Sequence, residues 1–489
     1  MKKTNPTLTI DYYKVSHRSQ EPEGIEYRYS TWTPRTSRME GVNEVVNFGI
    51  QAFIKNLNET WNEGFFNRPK AEAVGEYARM IKFTLGDQNP ETKHLEDLHD
   101  LGYLPLEIKA LPEGVSVPLR VPTMTVVNTD KRFYWLTNYI EAFASASLWQ
   151  AGTSATIAKE YRKVLDKAAK ATGGDLNFVQ FQGHDFSFRG LSSVESAISS
   201  GMGHLLSFTG TDTIPAILGA EYYYGANVEK ELVGTSIPAS EHAIQCSYNS
   251  DMEYIERMIT KVYPSGFVSL VSDGTDYWGV LNNVLPALKS KILARTGGPL
   301  GDKVVIRPDS GDPVKIICGD LTAKTEHERK GSIEVLWDIF GGTVNEKGFK
   351  QLNPKIGLIY GDAITLRRAD EIVNRLAEKG FASTNVVFGI GSYTYQYNTR
   401  DTFGFAMKST LCVIDGKEKP IFKDPKTDDG TKKSQRGRVS VWKDGNSYKV
   451  IDGLGLKDND PNDQLEVIFK DGKLVKETTF AEIRGRLLK

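Results

Sequence analysis

Ile356-Gly357-Leu358-Ile359-Tyr360-Gly361-Asp362 reads as a short apolar strand ending in glycine and aspartate. Leu366–Lys379, which follows, carries apolar residues at helical spacing and stops at Gly380, a natural residue to end a helix. The same βα unit recurs outward from it. Phe178–Gln182, Leu205–Phe208, Thr235–Pro238, Val268–Val271, Val304–Ile306 and Val386–Phe388 are further β-rich runs that end in Gly, Asp, His or Arg. Ser192 and Glu195 form a Ser-x-x-Glu capping box before the helix after the first run. Units in series predict parallel strands joined by crossover helices. An open sheet gathers ligands at one crevice, whereas a barrel draws site residues from many strand ends, and here polar residues recur at every end. The expectation is an irregular α/β barrel of about seven strands.

The ends of the chain lack this rhythm. Ile25–Thr33 and Leu106–Val127 read as strands with Gly and Pro turns, and Phe65–Thr84 as a helix. Leu411–Leu474 alternates strands with turns at Asp415-Gly416, Asp444-Gly445, Asp452-Gly453 and Asp471-Gly472. Both ends are expected to pair into one discontinuous mixed α+β sheet domain. The division is 1–170 for its N-terminal part, 171–400 for the barrel and 401–489 for the strands that complete it. Lys423–Arg438 reads as a polar, Lys-rich mobile loop.

The 489 residues exceed one ordinary core, and 39% hydrophobic with 25% charged content describes a globular chain. Sixty-one basic against 62 acidic side chains give a net charge of −1, which points to no nucleic-acid or acidic-membrane partner. Cys246, Cys318 and Cys412 stand far apart in no metal-ligand spacing, as in a reducing compartment. No secretory signal or membrane-spanning run is evident, so a cytoplasmic location is expected.

Chemistry gathers at the strand ends. Asp273, Asp309 and Asp362 close three of the runs, and Gly391-Ser392 forms a fourth strand-to-helix turn. Gathered carboxylates repel unless a cation or hydroxyl donors bind there, and Mg²⁺ with a polyphosphate and a ribose diol would satisfy them. The Gly391-Ser392 turn suits a phosphate monoester, and Arg307, Arg189 and Arg400 could neutralise phosphate charge. His242, beside Glu241, could act as a nucleophile toward a phosphoryl group, with Asp273 holding its tautomer. In His184–Gly190 and Phe208–Asp212 a flat ring could stack on Phe186, an anion pair with Arg189, and an amide donate to Asp212. Plain alternatives remain for each: a helix N-cap for a strand-end aspartate, core packing for a strand-end aromatic, a surface ion pair for Arg400 beside Asp401.

His184–Gly190, Gly210–Thr213, Ser236–His242, Ile306–Pro313, Phe422-Lys423-Asp424-Pro425 and Asp11-Tyr12-Tyr13-Lys14 together resemble the nicotinamide phosphoribosyltransferase family, among the type II phosphoribosyltransferases. The resemblance runs from about residue 6 to 440. It implies an enzyme that joins nicotinamide to phosphoribosyl pyrophosphate, releasing pyrophosphate, with Mg²⁺ and with ATP phosphorylating His242 in an assisting role. It implies a homodimer whose pyridine pocket is a sandwich of Phe186 and Tyr13 of the partner subunit, with Asp212 on the carboxamide and Arg189 and Arg307 flanking ring and phosphate. By the same resemblance Asp309, Gly361 and Asp362 hold the ribose, Gly391 and Ser392 the 5′-phosphate, and Arg400 and Lys408 assist from the partner side. Arg35, Lys423, Glu241 and Ser236 go with the pyrophosphate or ATP, and Asp273 and Asp309 with the metal. Ser392 and Tyr393 stand where the family has glycines, Gly357 where vertebrate members carry arginine, and Lys432 and Lys433 align loosely. The competing functions are a nicotinate phosphoribosyltransferase, a non-catalytic nucleotide-binding relative, and a barrel isomerase or lyase acting on a phosphorylated sugar.

Overall fold

The computed structural model describes residues 4–423 and 434–489. Two units emerge, one of residues 154–219 and 227–397, the other of residues 1–153, 220–226 and 398–489. The first holds a parallel sheet of β1 (Gly183–Asp185), β2 (Gly210–Thr211), β3 (Phe267–Val271), β4 (Lys303–Arg307), β5 (Ile356–Tyr360) and β6 (Val386–Ile390). Their order is β2-β1-β6-β5-β4-β3. The segment 235–240 lies between the two edge strands. Thr235 N–H donates to Thr209 O at 2.7 Å and Thr211 N–H to Thr235 O at 2.9 Å, while Ser269 N–H donates to Pro238 O at 2.8 Å. This loosely paired seventh stave turns the sheet into the irregular barrel expected from the sequence. Val268, Leu270, Val304, Ile306, Leu358, Val386 and Phe388 are buried along it, as in parallel strands covered on both faces.

The helices α1 (Val194–Leu205), α2 (Leu366–Glu378) and α3 (Ser392–Tyr395) follow β1, β5 and β6. In α2 the Thr365 hydroxyl accepts from Arg368 N–H at 3.2 Å, and Ala369, Ile372, Val373 and Leu376 form the buried stripe.

Several local expectations are corrected. Val179–Gln182 is helical and the strand starts at Gly183, because a short apolar run does not distinguish the two states by itself. Leu205–Phe208 is the end of α1 and the turn after it, and β2 begins only at Gly210. The cap of α1 is Ser193, whose hydroxyl accepts from Ser196 N–H at 3.1 Å, and not Ser192. The helix expected over Phe65–Thr84 spans Lys70–Leu85, since Pro69 closes one helical path and starts the next.

The second unit is built on an antiparallel sheet in the order Lys417–Pro420, Ala406–Ile414, Ile25–Thr33, Met124–Asn128, Leu106–Ala110, Glu466–Lys470, Lys473–Leu474. The two chain ends pair directly, with Trp32 opposite Met407. Its core runs through Trp32, Ile54, Leu57, Trp61, Met407 and Phe469. Asp415-Gly416 and Asp471-Gly472 both have positive φ, as tight hairpin turns require. Asp452-Gly453 is not a turn: it lies inside the strand Ser447–Leu454, where the register slips in a bulge. Asp424, Pro425, Lys432 and Lys433, with most of the expected Lys-rich loop, lie outside the described residues. Among the described residues no helix is long and apolar enough to cross a membrane.

Candidate active site

A cavity of about 460 Å³ opens at the strand ends of the barrel unit, within which Phe186, Arg189, Asp212, Arg307, Asp309, Gly361, Asp362, Gly391 and Ser392 all line the wall. Its floor is set by close backbone approach. A Cβ on Gly389 would lie 2.4 Å from Cδ2 of Phe186, and one on Gly361 would lie 2.2 Å from Oδ1 of Asp309. Only glycine at these two positions lets the ring and the carboxylate enter the cavity. Phe186 N–H donates to Ile390 O at 3.0 Å, which ties its turn to the end of β6. Behind the ring the buried Asp185 accepts from Ser187 N–H at 2.9 Å and from its hydroxyl at 2.6 Å.

Asp212 follows β2. Its Oδ1 accepts from His184 Nε2 at 2.9 Å and from the Ser236 hydroxyl at 2.6 Å. Burial works to raise its pKa, but His184, Ser236 and the charge of Arg307 outweigh it and hold the carboxyl below its ordinary value. Ser236, expected with the phosphates, donates to Asp212 in this structure. The sequence offers one signal for His184: it stands two residues before Phe186, the spacing that puts residues of an extended segment on one face.

Asp273 is the organiser of the opposite side. Its Oδ2 accepts from Asp309 N–H at 2.9 Å, from Ser310 N–H at 2.8 Å and from the Ser310 hydroxyl, while Oδ1 meets His242 Nε2 at 3.0 Å. Burial opposes its charge, and these donors still keep its pKa lowered. The Asp309 carboxyl is pushed up by burial and by the nearby Asp273 and Asp362, against the pull of Arg307 at 3.7 Å. Its Oδ1 is buried without a hydrogen-bond partner. Arg307 is aimed by Nη2, which donates to Ser240 O at 2.7 Å. Tyr360 supports the same loop, its hydroxyl donating to Ser310 O at 2.8 Å. His242 itself is exposed, at the start of the helix His242–Gln245 with the exposed Glu241 as its cap.

Arg189 is exposed in the cavity wall, and among the described residues no carboxylate pairs with it. Gly391 is open: nothing lies within 4 Å of where its Cβ would be. Tyr393, which also lines the cavity, stacks on Tyr397 with centroids 5.0 Å apart and planes 10° from parallel. Among the described residues no cluster of three or more His, Cys, Asp or Glu side chains forms a ready-made metal cage. Both oxygens of Asp273 are engaged, whereas Oδ1 of Asp309 is a free acceptor that fits a cation, as a phosphate-bound Mg²⁺ with few protein ligands would require.

Tyr13, Arg35, Arg400, Lys408 and Lys423 lie on the other unit. Tyr13 is exposed, with its ring edge-on to His17 at 4.7 Å. Arg35, whose Nε donates to Gly404 O at 2.9 Å, has its pKa lowered by burial and by Arg400. Lys408 is lowered by burial and by Arg35, Arg400 and Lys14, with Glu141 opposing. Three of the expected phosphate cations thus form one mutually repelling cluster, a place where an anion would be stabilised. Arg400 and Asp401 stand 4.0 Å apart, too far for more than a weak surface pair.

The sequence profile of the nicotinate phosphoribosyltransferase (NAPRTase) family matches residues 181–473. The nicotinamide phosphoribosyltransferase of Acinetobacter baylyi is 50% identical over 493 residues, covering 99% of this chain and 97% of the relative. That of Mycoplasma genitalium is 34% identical, covering 89% and 95%. A crystal structure of nicotinate-nucleotide pyrophosphorylase from Pyrococcus furiosus shares the fold at a TM-score of 0.55 with 15% identity, covering 99% of this chain and 94% of that one. The barrel and its strand-end cavity are those of a phosphoribosyltransferase. The chain belongs to the nicotinate phosphoribosyltransferase (NAPRTase) family.

Proposed function

We propose that the protein condenses nicotinamide with 5-phosphoribosyl 1-pyrophosphate to give nicotinamide mononucleotide and pyrophosphate, a step of NAD salvage. The observation that carries the choice of amide over acid is Asp212, an ionised carboxylate at the rim of a cavity that also presents the Phe186 ring. A carboxylate accepts from the carboxamide NH₂ and repels the carboxylate of nicotinate. A nicotinate transferase would carry a cation or a hydroxyl there.

In this reading the pyridine nitrogen attacks C1′ of the ribose directly and the bond from C1′ to the pyrophosphate oxygen breaks. No general base is needed, because the attacking lone pair carries no proton. Phe186 and Arg307 position the ring, while Asp309, Gly361 and Asp362 hold the ribose hydroxyls. The carboxylates also favour the positive charge that develops on the ribosyl group. Gly391 and Ser392 receive the 5′-phosphate, with Arg189 as its counter-charge. Mg²⁺, when bound with the substrate at the Asp309 side, supplies charge neutralisation for the departing pyrophosphate.

Asp273 and Asp309 form the catalytic group with His242, which accepts a phosphoryl group from ATP through the ring nitrogen that Asp273 does not hold. Glu241 flanks that exchange. The active form is a homodimer in which Tyr13, Arg400 and Lys408 come from the second copy, and Arg35 and Lys423 meet the pyrophosphate or ATP phosphates. The barrel stretch 171–400 is the catalytic domain, with 1–170 and 401–489 as its companion, and the enzyme works in the cytoplasm. The test is Asp212→Asn: it should raise nicotinate use relative to nicotinamide at least tenfold, and an unchanged ratio would remove Asp212 from the selecting role.

A further inference from the structure

Asp212 is held through both its backbone and its side chain. Its backbone N–H donates to Asp185 O at 3.0 Å, across to the end of β1. Its Oδ1 takes two donors, His184 Nε2 at 2.9 Å and the Ser236 hydroxyl at 2.6 Å. No bond within the chain uses Oδ2 among the described residues. One carboxylate oxygen is therefore spent on the protein and one remains for a ligand.

His184 cannot swing away from this arrangement. It pairs in register with Gly210 of β2, and a Cβ on Gly210 would lie 2.8 Å from His184 Nδ1, so the ring lies close against bare backbone. On its other side it packs on Phe186, with centroids 4.9 Å apart. One imidazole thus touches both the ring platform and the amide acceptor of the cavity. A donor at this point has two consequences. It fixes the carboxylate plane, and, as long as the donor brings no charge of its own, it leaves Asp212 with the full negative charge that rejects an acid.

We infer that His184 is a specificity-determining positioning residue: it orients Asp212 through Oδ1 and so reserves Oδ2 as the single acceptor for the pyridine carboxamide. This rests on the reading of Asp212 given above. Three properties of the site follow from it. Loss of the donor loosens the carboxylate and weakens amide recognition. A neutral donor of similar reach restores it. A permanent cation in the same place cancels the charge of Asp212 and admits the acid.

The experiment measures kcat/KM for nicotinamide and for nicotinate, with saturating phosphoribosyl pyrophosphate and Mg²⁺, on the full-length protein and its variants. His184→Phe should lower the nicotinamide-to-nicotinate ratio about tenfold. His184→Gln should return it to within about threefold of wild type, and His184→Lys should lower it about 100-fold through increased nicotinate use. The KM for phosphoribosyl pyrophosphate should stay within about threefold in all of them, a separation that a merely structural role would not give. Should His184→Phe fail to fold, His184→Asn, which cannot reach Asp212, takes its place, and Ser236→Ala tests the other donor to Oδ1. An unchanged ratio in His184→Phe (or His184→Asn) and His184→Lys overturns the inference. If Asp212→Asn shifts the ratio while these do not, only the role of His184 falls. If Asp212→Asn also leaves it unchanged, the reading of Asp212 itself falls.

Discussion

Gly389→Ala should damage nicotinamide binding while leaving every polar residue of the site in place. The added Cβ would fall 2.4 Å from Cδ2 and 2.6 Å from Cε2 of Phe186, and 2.9 Å from Cα of Gly361. Carbon atoms rest about 3.5–4.0 Å apart, so the ring must retreat by about 1 Å or the β5 and β6 ends must part. Such overpacking costs about 1–3 kcal/mol. If the ring yields, most of that appears as lost stacking, and the KM for nicotinamide rises about 5- to 150-fold, at 1.4 kcal/mol for each factor of ten. Steady-state kinetics with nicotinamide varied at saturating phosphoribosyl pyrophosphate reads this directly, and a thermal melt reports how much strain went into the fold instead. A variant with the wild-type KM and an unchanged melting temperature would refute the claim that Gly389 exists to admit Phe186.

Gly361→Ala places a Cβ 2.2 Å from Oδ1 of Asp309, so it should raise the KM for phosphoribosyl pyrophosphate at least tenfold and that for nicotinamide much less. His242→Ala should abolish incorporation of the γ-phosphate of labelled ATP into the protein and with it any ATP stimulation; labelling that persists would assign the phosphoryl acceptor elsewhere. Glu113 is buried with its Oε1 accepting from Gln51 N–H at 2.7 Å, and burial pushes its carboxyl up from 4.5 to about 7. The fold favours its neutral form, so the associated stability is complete below pH 4.5 and is lost as pH rises through about 7. Denaturant melts of Glu113→Gln against wild type should show the variant gaining relative stability across that window, and parallel curves would contradict the buried-acid assignment.

Much of this was legible in the sequence because strand ends carry both the period and the chemistry. The Ile356–Tyr360 strand is found as read, and its Gly361-Asp362 end reaches the cavity with Asp309, Arg307, Phe186 and Asp212. The hydrogen bond between His242 and Asp273 was also anticipated from their places after successive strands. What escaped was of two kinds. Short apolar runs such as Val179–Gln182 and Leu205–Phe208 bury their residues in either state, and tertiary packing rather than pattern decided for helix and turn. Supporting partners such as Ser240 and Ser310 act through contacts across the barrel, where separations of tens of residues leave no local signal. The hydrogen bond from Ser236 to Asp212, 24 positions away, is of the second kind.

The most direct measurement offers the wild-type protein equal concentrations of nicotinamide and nicotinate together with phosphoribosyl pyrophosphate and Mg²⁺, and quantifies the two mononucleotides. Nicotinamide mononucleotide should form in large excess, with pyrophosphate released in equal amount. Predominant formation of nicotinate mononucleotide would contradict the proposed reaction.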